Sequence, residues 1–184
     1  MIDQPLSAWF YENRHPHLTQ FLLFITHWHG TLGVLLMSAV LGIALWCWGR
    51  RWWLLALLLS VPGGMLLNVA VKHLVQRARP HFDDPLVFLT TYSFPSGHTA
   101  GAALFYGFLT VLVFAHPPAR RWRTAMVAAG AAMVLLVGLS RIYLGAHFFT
   151  DVVGGLALAG LWLCVSLSAV QALWRRRDAG AAHG

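Results

Sequence analysis

Apolar residues run along this chain in five long blocks, separated by short polar stretches where glycine, proline, arginine and histidine collect. The blocks cover residues 31–48, 52–71, 99–115, 122–139 and 148–174. Each falls near or within the roughly 17–25 residues that carry a helix across the hydrocarbon of a bilayer. Lipid offers no water to satisfy backbone N–H and C=O groups, so blocks of this kind must be α-helices. The first thirty residues differ. Leu18, Phe21, Leu22, Ile25 and Trp28 recur at helical spacing, while Thr19, His27 and His29 interrupt the other face. That pattern predicts an amphipathic helix lying in the membrane interface. A short sixth span over 17–29 is the rival reading. At 1.5 Å per residue it would reach only about 20 Å, too little without thinning the bilayer. The predicted fold class is all-α: an integral membrane helical bundle with about five spanning helices (six possible). An N-terminal interfacial segment covers 1–30, a membrane-embedded unit 31–177 and a disordered tail 178–184.

Composition strengthens this picture. Only 10% of the residues are charged and 58% are hydrophobic, whereas a soluble domain carries about 25% charged residues. There is too little polar surface to clothe a water-soluble globule. Cys47 and Cys164 lie inside apolar blocks far apart in sequence and read as reduced packing residues.

The net charge of +7 matters through its placement. Arg50 and Arg51, then Arg120, Arg121 and Arg123, then Arg175, Arg176 and Arg177 fall between or after blocks that put all three clusters at one end of the bundle. The positive-inside rule makes that end cytoplasmic. This placement fits membrane topology rather than a nucleic-acid groove, and no nucleic-acid partner is expected. Membrane lipids are the expected surroundings. The opposite end then faces the periplasm or exterior of a bacterial plasma membrane. Lys72, Arg77, Arg79 and Arg141 sit at that outward end against the charge rule, so they call for a different cause.

Three polar groups converge there. The first runs from Lys72 to Arg79-Pro80, the second is Pro95-Ser96-Gly97-His98, and the third is Ser140-Arg141 with His147 and Asp151. Arginine forks match phosphate oxygens in pairs and lysine adds a point charge. The N–H groups of Ser96 and Gly97, at the start of a helix, can point at an anion. His147 and Asp151 are four apart at the start of the last span and share a face. A carboxylate on one ring nitrogen fixes the tautomer and frees the other nitrogen to attack. His98 has the right chemistry to protonate a departing oxygen. Structural readings exist for each: headgroup or Asp83 and Asp84 partners for the cations, a satisfied interfacial histidine for His147, and a favourable helix-start aspartate for Asp151. His15, His17, His27 and His29 have no acidic cluster beside them, so no metal site is expected.

The spacing resembles the signature of the type 2 phosphatidic acid phosphatase family, to which vanadium haloperoxidases and glucose-6-phosphatase are related. That signature is lysine, six residues, Arg-Pro; then Pro-Ser-Gly-His; then Ser-Arg, five residues, His, three residues, Asp. Here it reads Lys72 to Arg79-Pro80, Pro95 to His98, and Ser140-Arg141 to His147 and Asp151. The resemblance implies His147 as a nucleophile forming a phosphohistidine, Asp151 orienting it, and His98 protonating the leaving group and later activating water. It implies Lys72, Arg79, Arg141, Ser96 and Gly97 as phosphate ligands, with no metal or other cofactor. Membrane members of the family usually have six spans, so five with interfacial helices is a departure.

The expected function is a metal-independent phosphatase acting on a lipid-linked phosphate or diphosphate. The compact outer loop 81–94 leaves little protein to contact a large headgroup. Undecaprenyl diphosphate leads the expected substrates, with phosphatidylglycerol phosphate, phosphatidate and lipid A phosphate as alternatives. A haloperoxidase-like vanadate site or a non-catalytic lipid-binding or transport protein are the competing readings. Binding alone would need the cations but not His98, His147 and Asp151 together.

Overall fold

The computed structural model describes residues 2–116 and 121–181. Among them the chain forms seven helices: α1 Asp3–Glu12, α2 Pro16–Trp28, α3 Thr31–Cys47, α4 Arg51–Val75, α5 Gly97–Ala115, α6 Arg123–Tyr143 and α7 Phe149–Ala181. The helices α4, α5, α6 and α7 are long and apolar enough to cross a membrane unaided. The expected span over 31–48 is α3, which qualifies only together with α2, across a 51° bend. Counted as one broken span the pair makes five. The sixth possible span is not formed among the described residues, because α2 continues into α3 at a break of two residues and is only about 20 Å long. The N-terminal segment also contains α1, a helix that the apolar pattern alone does not mark out.

Local chemistry explains the helix boundaries. Pro16 opens α2 at a position whose N–H would be unmatched in any helix. Gly49 and Gly145 turn the chain after α3 and α6 with φ near +68°, a conformation that costs a side-chain-bearing residue energy. Pro62 interrupts the hydrogen-bond ladder of α4, and the indole of Trp162 donates to the Leu59 carbonyl nearby at 2.9 Å. A neighbouring helix thus supplies a bond where lipid has none to give. The α7 helix is 33 residues long, about 50 Å, longer than the roughly 30 Å hydrocarbon layer. It runs through Ala181, four residues into the segment expected as a tail. Residues 182–184 lie outside the described residues, as does Arg120.

The core is the packing of α3, α4, α5 and α7, built on Val34, Leu57, Val61, Leu104, Phe108 and Ala159. Small residues let these helices approach closely, as membrane packing requires where lipid tails are as apolar as leucine. A Cβ on Gly64 would meet Leu104 and Trp162, and one on Gly155 would lie 2.8 Å from the Ser96 carbonyl oxygen. Ser60 and Ser166 hydrogen-bond between α4 and α7 at 2.8 Å. Many large apolar side chains point outward, among them Leu66, Leu161, Val40 and Ile43, as a lipid-facing surface demands. Cys47 and Cys164 are free and exposed rather than packed inside.

The loops sort by end. Arg51, Arg123 and Arg177 stack against Trp46, Phe114 and Trp52 at one end of the bundle. A cavity of about 600 Å³ opens there, lined in part by Trp52, Trp53, Val111 and Trp174. The other end gathers the end of α4, the start of α5, the end of α6, the start of α7 and the N-terminal helices. All the sequence-selected polar groups lie at this second end.

Gly155 sets how closely α7 approaches the first turn of α5, and the atom a methyl would strike is backbone. Gly155→Ala is expected to destabilise the bundle by about 1–3 kcal/mol. Thermal unfolding in detergent checks this, with Gly160→Ala, where a Cβ meets nothing within 4 Å, as the neutral control.

Candidate active site

Asp151 lies in the first turn of α7, fully buried. A carboxylate there is stable only if its oxygens are matched. Oδ1 accepts from Arg77 Nη1 at 2.7 Å. Oδ2 accepts from the Phe148 N–H at 2.8 Å and from the Ser93 hydroxyl. The Asp151 carbonyl accepts the Ser96 N–H at 3.0 Å. One residue of α7 thereby fastens the 76–96 loop and the start of α5.

His147 sits in the short connection between α6 and α7, 2% exposed. Its N–H donates to the Arg141 carbonyl at 3.1 Å, which fixes the turn. Its Nδ1 faces Asp151 Oδ2 at 3.5 Å, ion-pair range but longer than a strong hydrogen bond. Its Nε2 lies 3.2 Å from Arg79 Nη1. Arginine only donates, so Nε2 must be the acceptor and the ring proton belongs on Nδ1, toward Asp151. The tautomer that leaves Nε2 with its lone pair is therefore set by Arg79, and it turns the Nδ1 proton toward Asp151 without a close hydrogen bond. Burial, helped by the cations of Arg141 and Arg79 and opposed by Asp151, pushes the imidazole down to about 4. The ring is neutral at physiological pH, the form that can attack an electrophile.

The cations are held differently from one another. Arg79 engages all its donors: Thr91 O at 2.6 Å, Ala146 O at 2.7 Å, Tyr92 O at 3.0 Å, the Thr91 hydroxyl and His147 Nε2. Burial lowers its proton affinity, with Asp151 opposing. Lys72 donates to Tyr92 O at 2.7 Å and Pro95 O at 3.0 Å, so it clamps the loop ahead of Ser96 and retains one N–H. Arg141 is the least committed. It is 2% exposed, Nη1 donates to Thr26 on α2 at 2.6 Å, and Nε is buried without a partner. Beside Arg14, Arg77 and Arg79 at this end, it is the guanidinium with most donors left for an incoming anion.

Ser96 caps α5, but its N–H is spent on the Asp151 carbonyl, which corrects the expectation that this group points at an anion. Its buried hydroxyl accepts from Thr99 at 3.0 Å and keeps its own proton to donate. Gly97 and His98 begin α5, so their N–H groups have no acceptor within the helix. The His98 ring reaches the bend between α2 and α3, where Nε2 comes within 3.5 Å of where a Gly30 Cβ would stand. Burial and the guanidinium charges of Arg141 and Arg79 bear on it. All eight sequence-selected residues therefore occupy one end of the bundle; Lys72 and Arg79 share the Tyr92 carbonyl, Arg79 meets His147, and Ser96 bonds to Asp151.

Several participants escape sequence reasoning. Arg77 stands out only as a misplaced charge; in the structure it bridges Asp151 and Asp3. Ser93 could have been suspected from its place two residues ahead of Pro95. Thr26 and Asp3 carry no local signal, since their partners lie 115 and 74 residues away. No group of three or more His, Cys, Asp or Glu side chains able to hold a metal ion occurs among the described residues.

Comparison with known proteins places this geometry. The PAP2 superfamily profile matches residues 52–175. Phosphatidylglycerophosphatase B of Bacillus subtilis (strain 168) is 36% identical over 158 residues, 85% of this chain and 77% of that protein. A putative undecaprenyl-diphosphatase, YbjG, of Escherichia coli (strain K12) is 28% identical, over 74% of this chain and 66% of that one. The crystal structure of a transmembrane PAP2 type phosphatidylglycerolphosphate phosphatase from Bacillus subtilis superposes with a TM-score of 0.83 at 31% identity, covering 95% of this chain and 85% of that chain.

The depressed affinity of His147 for protons has a stability consequence. An unfolded histidine titrates near 6.5 and the folded one at about 4, so the unfolded chain takes up a proton first as pH falls. Stability is expected to decline between pH 6.5 and 4 by roughly 3 kcal/mol from this group. Thermal melts across that range check it, and His147→Gln should flatten this part of the dependence.

Proposed function

The chain belongs to the PAP2 superfamily, and from that membership we propose that it hydrolyses the phosphate of a membrane lipid at the histidine end of its bundle, through a phosphohistidine on His147. The observation that carries this reading is the His147 ring, buried, with Nε2 held as an acceptor by Arg79 and Nδ1 facing the Asp151 carboxylate. A non-catalytic binding site would have no use for that constraint.

The chemistry follows from the contacts. Arg141, Lys72, Arg79, the Ser96 hydroxyl and the Gly97 N–H receive the phosphate oxygens. As the phosphate approaches Nε2, Arg79 Nη1 hands its hydrogen bond from the ring to an oxygen. Nε2 then attacks phosphorus in line with the leaving oxygen, the P–O bond breaks, and His98 gives that oxygen a proton. The phosphate dianion beside His98 is what favours its protonated form. Asp151 stabilises the His147 imidazolium by charge. His98, now neutral, takes a proton from water as the water attacks phosphorus. The P–N bond breaks, inorganic phosphate leaves and His147 is restored.

The substrate is proposed as a lipid-linked monophosphate or diphosphate. The Bacillus relative, by its name and its coverage, favours phosphatidylglycerol phosphate; the compact 81–94 loop and the Escherichia relative favour undecaprenyl diphosphate. We place the site on the outer face of a bacterial plasma membrane, since the arginine-rich end should remain cytoplasmic.

Purified protein in detergent with a chelator is expected to release phosphate from one or both lipids, which a panel including phosphatidate and lipid A phosphate ranks. His147→Ala should lose at least about 10³-fold in kcat, the scale of removing a nucleophile. His98→Ala should slow lipid hydrolysis far more than hydrolysis of an aryl phosphate, whose leaving oxygen needs no proton. Native-rate turnover by His147→Ala would end the assignment.

A further inference from the structure

The N-terminal helix α1 makes no span and carries none of the signature residues, yet its Asp3 is 4% exposed. A carboxylate buried at the membrane interface needs partners, and Asp3 finds all of them beside the catalytic pair. Its Oδ2 accepts from Arg77 Nη2 at 2.8 Å and from the Thr150 hydroxyl at 2.6 Å. Its Oδ1 accepts the Thr150 N–H at 3.1 Å, one of the unmatched donors at the start of α7. Arg77 spends its other terminal nitrogen on Thr150 Oγ1 at 2.6 Å and Asp151 Oδ1 at 2.7 Å. Its guanidinium also lies over the Phe148 ring, 4.5 Å from the centroid, and the Phe148 N–H donates to Asp151 Oδ2.

Asp3 therefore reaches Asp151 by two routes, through the guanidinium and through the backbone of the preceding residue. Burial alone would weaken the charges of Asp3 and Arg77. Their mutual bonds, with Thr150 and Asp151, outweigh that and hold Asp3 below the usual carboxylate range and Arg77 above its own. The guanidinium is planar and its donors are fixed in direction. Holding one nitrogen on Asp3 thus sets where the other meets Asp151. Arg77 fixes Oδ1 while the Phe148 N–H and the Ser93 hydroxyl hold Oδ2, so together they close rotation of the carboxylate and keep Oδ2 opposite His147 Nδ1.

We propose that Asp3 and Arg77 are positioning residues for the reaction: α1 holds Arg77, Arg77 holds the Asp151 carboxylate, and the carboxylate holds His147. This rests on the reading of His147 and Asp151 as the catalytic pair. It makes the N-terminal interfacial helix part of the catalytic unit, where the signature motifs begin only at Lys72.

A structural tie and a positioning role differ in kinetics and in charge. With positioning, Arg77→Gln lowers kcat by about tenfold or more while KM stays within about twofold, and Asp3→Asn lowers kcat less. The double variant is no slower than Arg77→Gln, because the two act in series. Arg77→Lys keeps the charge but cannot bridge two carboxylates in one plane, so kcat stays low.

The acid limb of kcat/KM gives a second readout. The charged and titratable groups facing the pair are Asp3 from α1, His29 at the α2–α3 bend, Lys72 from α4, Arg77 and Arg79 from the loop, His98 from α5 and Arg141 from α6. Losing the Arg77 cation favours imidazolium and moves the limb to higher pH. Losing the Asp3 anion moves it to lower pH. Such shifts report only that both charges lie within electrostatic reach of His147; the positioning role is read from kcat.

The measurements use full-length protein in detergent, on phosphatidylglycerol phosphate or undecaprenyl diphosphate, whichever turns over faster, with rates normalised to folded protein. His147→Ala is run alongside. If it stays active, the catalytic reading fails and the relay with it. If it is inactive while Asp3→Asn and Arg77→Gln keep kcat within twofold of native, the relay alone is overturned. Should Arg77→Gln not fold, native kcat in Arg77→Lys overturns it equally.

Discussion

A single buried carboxylate organises the reactive end of this protein. Asp151 sits where water is excluded, and an isolated charge there would cost several kcal/mol. It is tolerated because the chain brings it Arg77, the Ser93 hydroxyl and the Phe148 N–H, while its own carbonyl takes the Ser96 N–H. Those partners come from the 76–96 loop, the cap of α5 and the turn before α7. Satisfying one anion therefore fixes three segments that the bundle alone would leave loose, and the histidine four residues before it is fixed with them.

The cations divide their labour by how many of their donors the protein consumes. Lys72 and Arg79 are tied largely to carbonyls of residues 91, 92, 95 and 146, so they build the rim of the site before they meet a phosphate. Arg141 keeps most of its fork free and is aimed by Thr26 on α2. An N-terminal helix thus orients the most available guanidinium, and a second one, α1, reaches the carboxylate. Helices α1 and α2, neither of which is long enough to cross a membrane by itself, are thus joined to the site by hydrogen bonds.

This arrangement also accounts for the break between α2 and α3. His29, buried at the bend, bonds back to the Ile25 carbonyl at 2.8 Å and to the Tyr106 hydroxyl of α5 at 2.9 Å. A straight helix through 16–47 would satisfy lipid equally well but would carry Thr26 away from Arg141. The bent pair keeps one half beside the site and sends the other half into the bundle.

Much of this was legible in the chain itself. Length and apolarity mark α4 to α7, because backbone satisfaction in lipid admits only helices there. Spacing picks out Lys72, Arg79, His98, Arg141, His147 and Asp151, because residues at span ends on one membrane face can share a pocket. Local pattern could not reveal the buried state of Asp3, the bridge made by Arg77, the commitment of the Ser96 N–H, or the joining of α2 to α3. Each depends on a partner far away in sequence, and hydrogen bonds across such distances are chosen by how helices pack. The sequence alone determined which groups stand at the reactive end and what chemistry they could perform. Only the tertiary structure decided which donors are spent on the protein and which remain for a phosphate, since that division is made by distance and direction rather than by residue type.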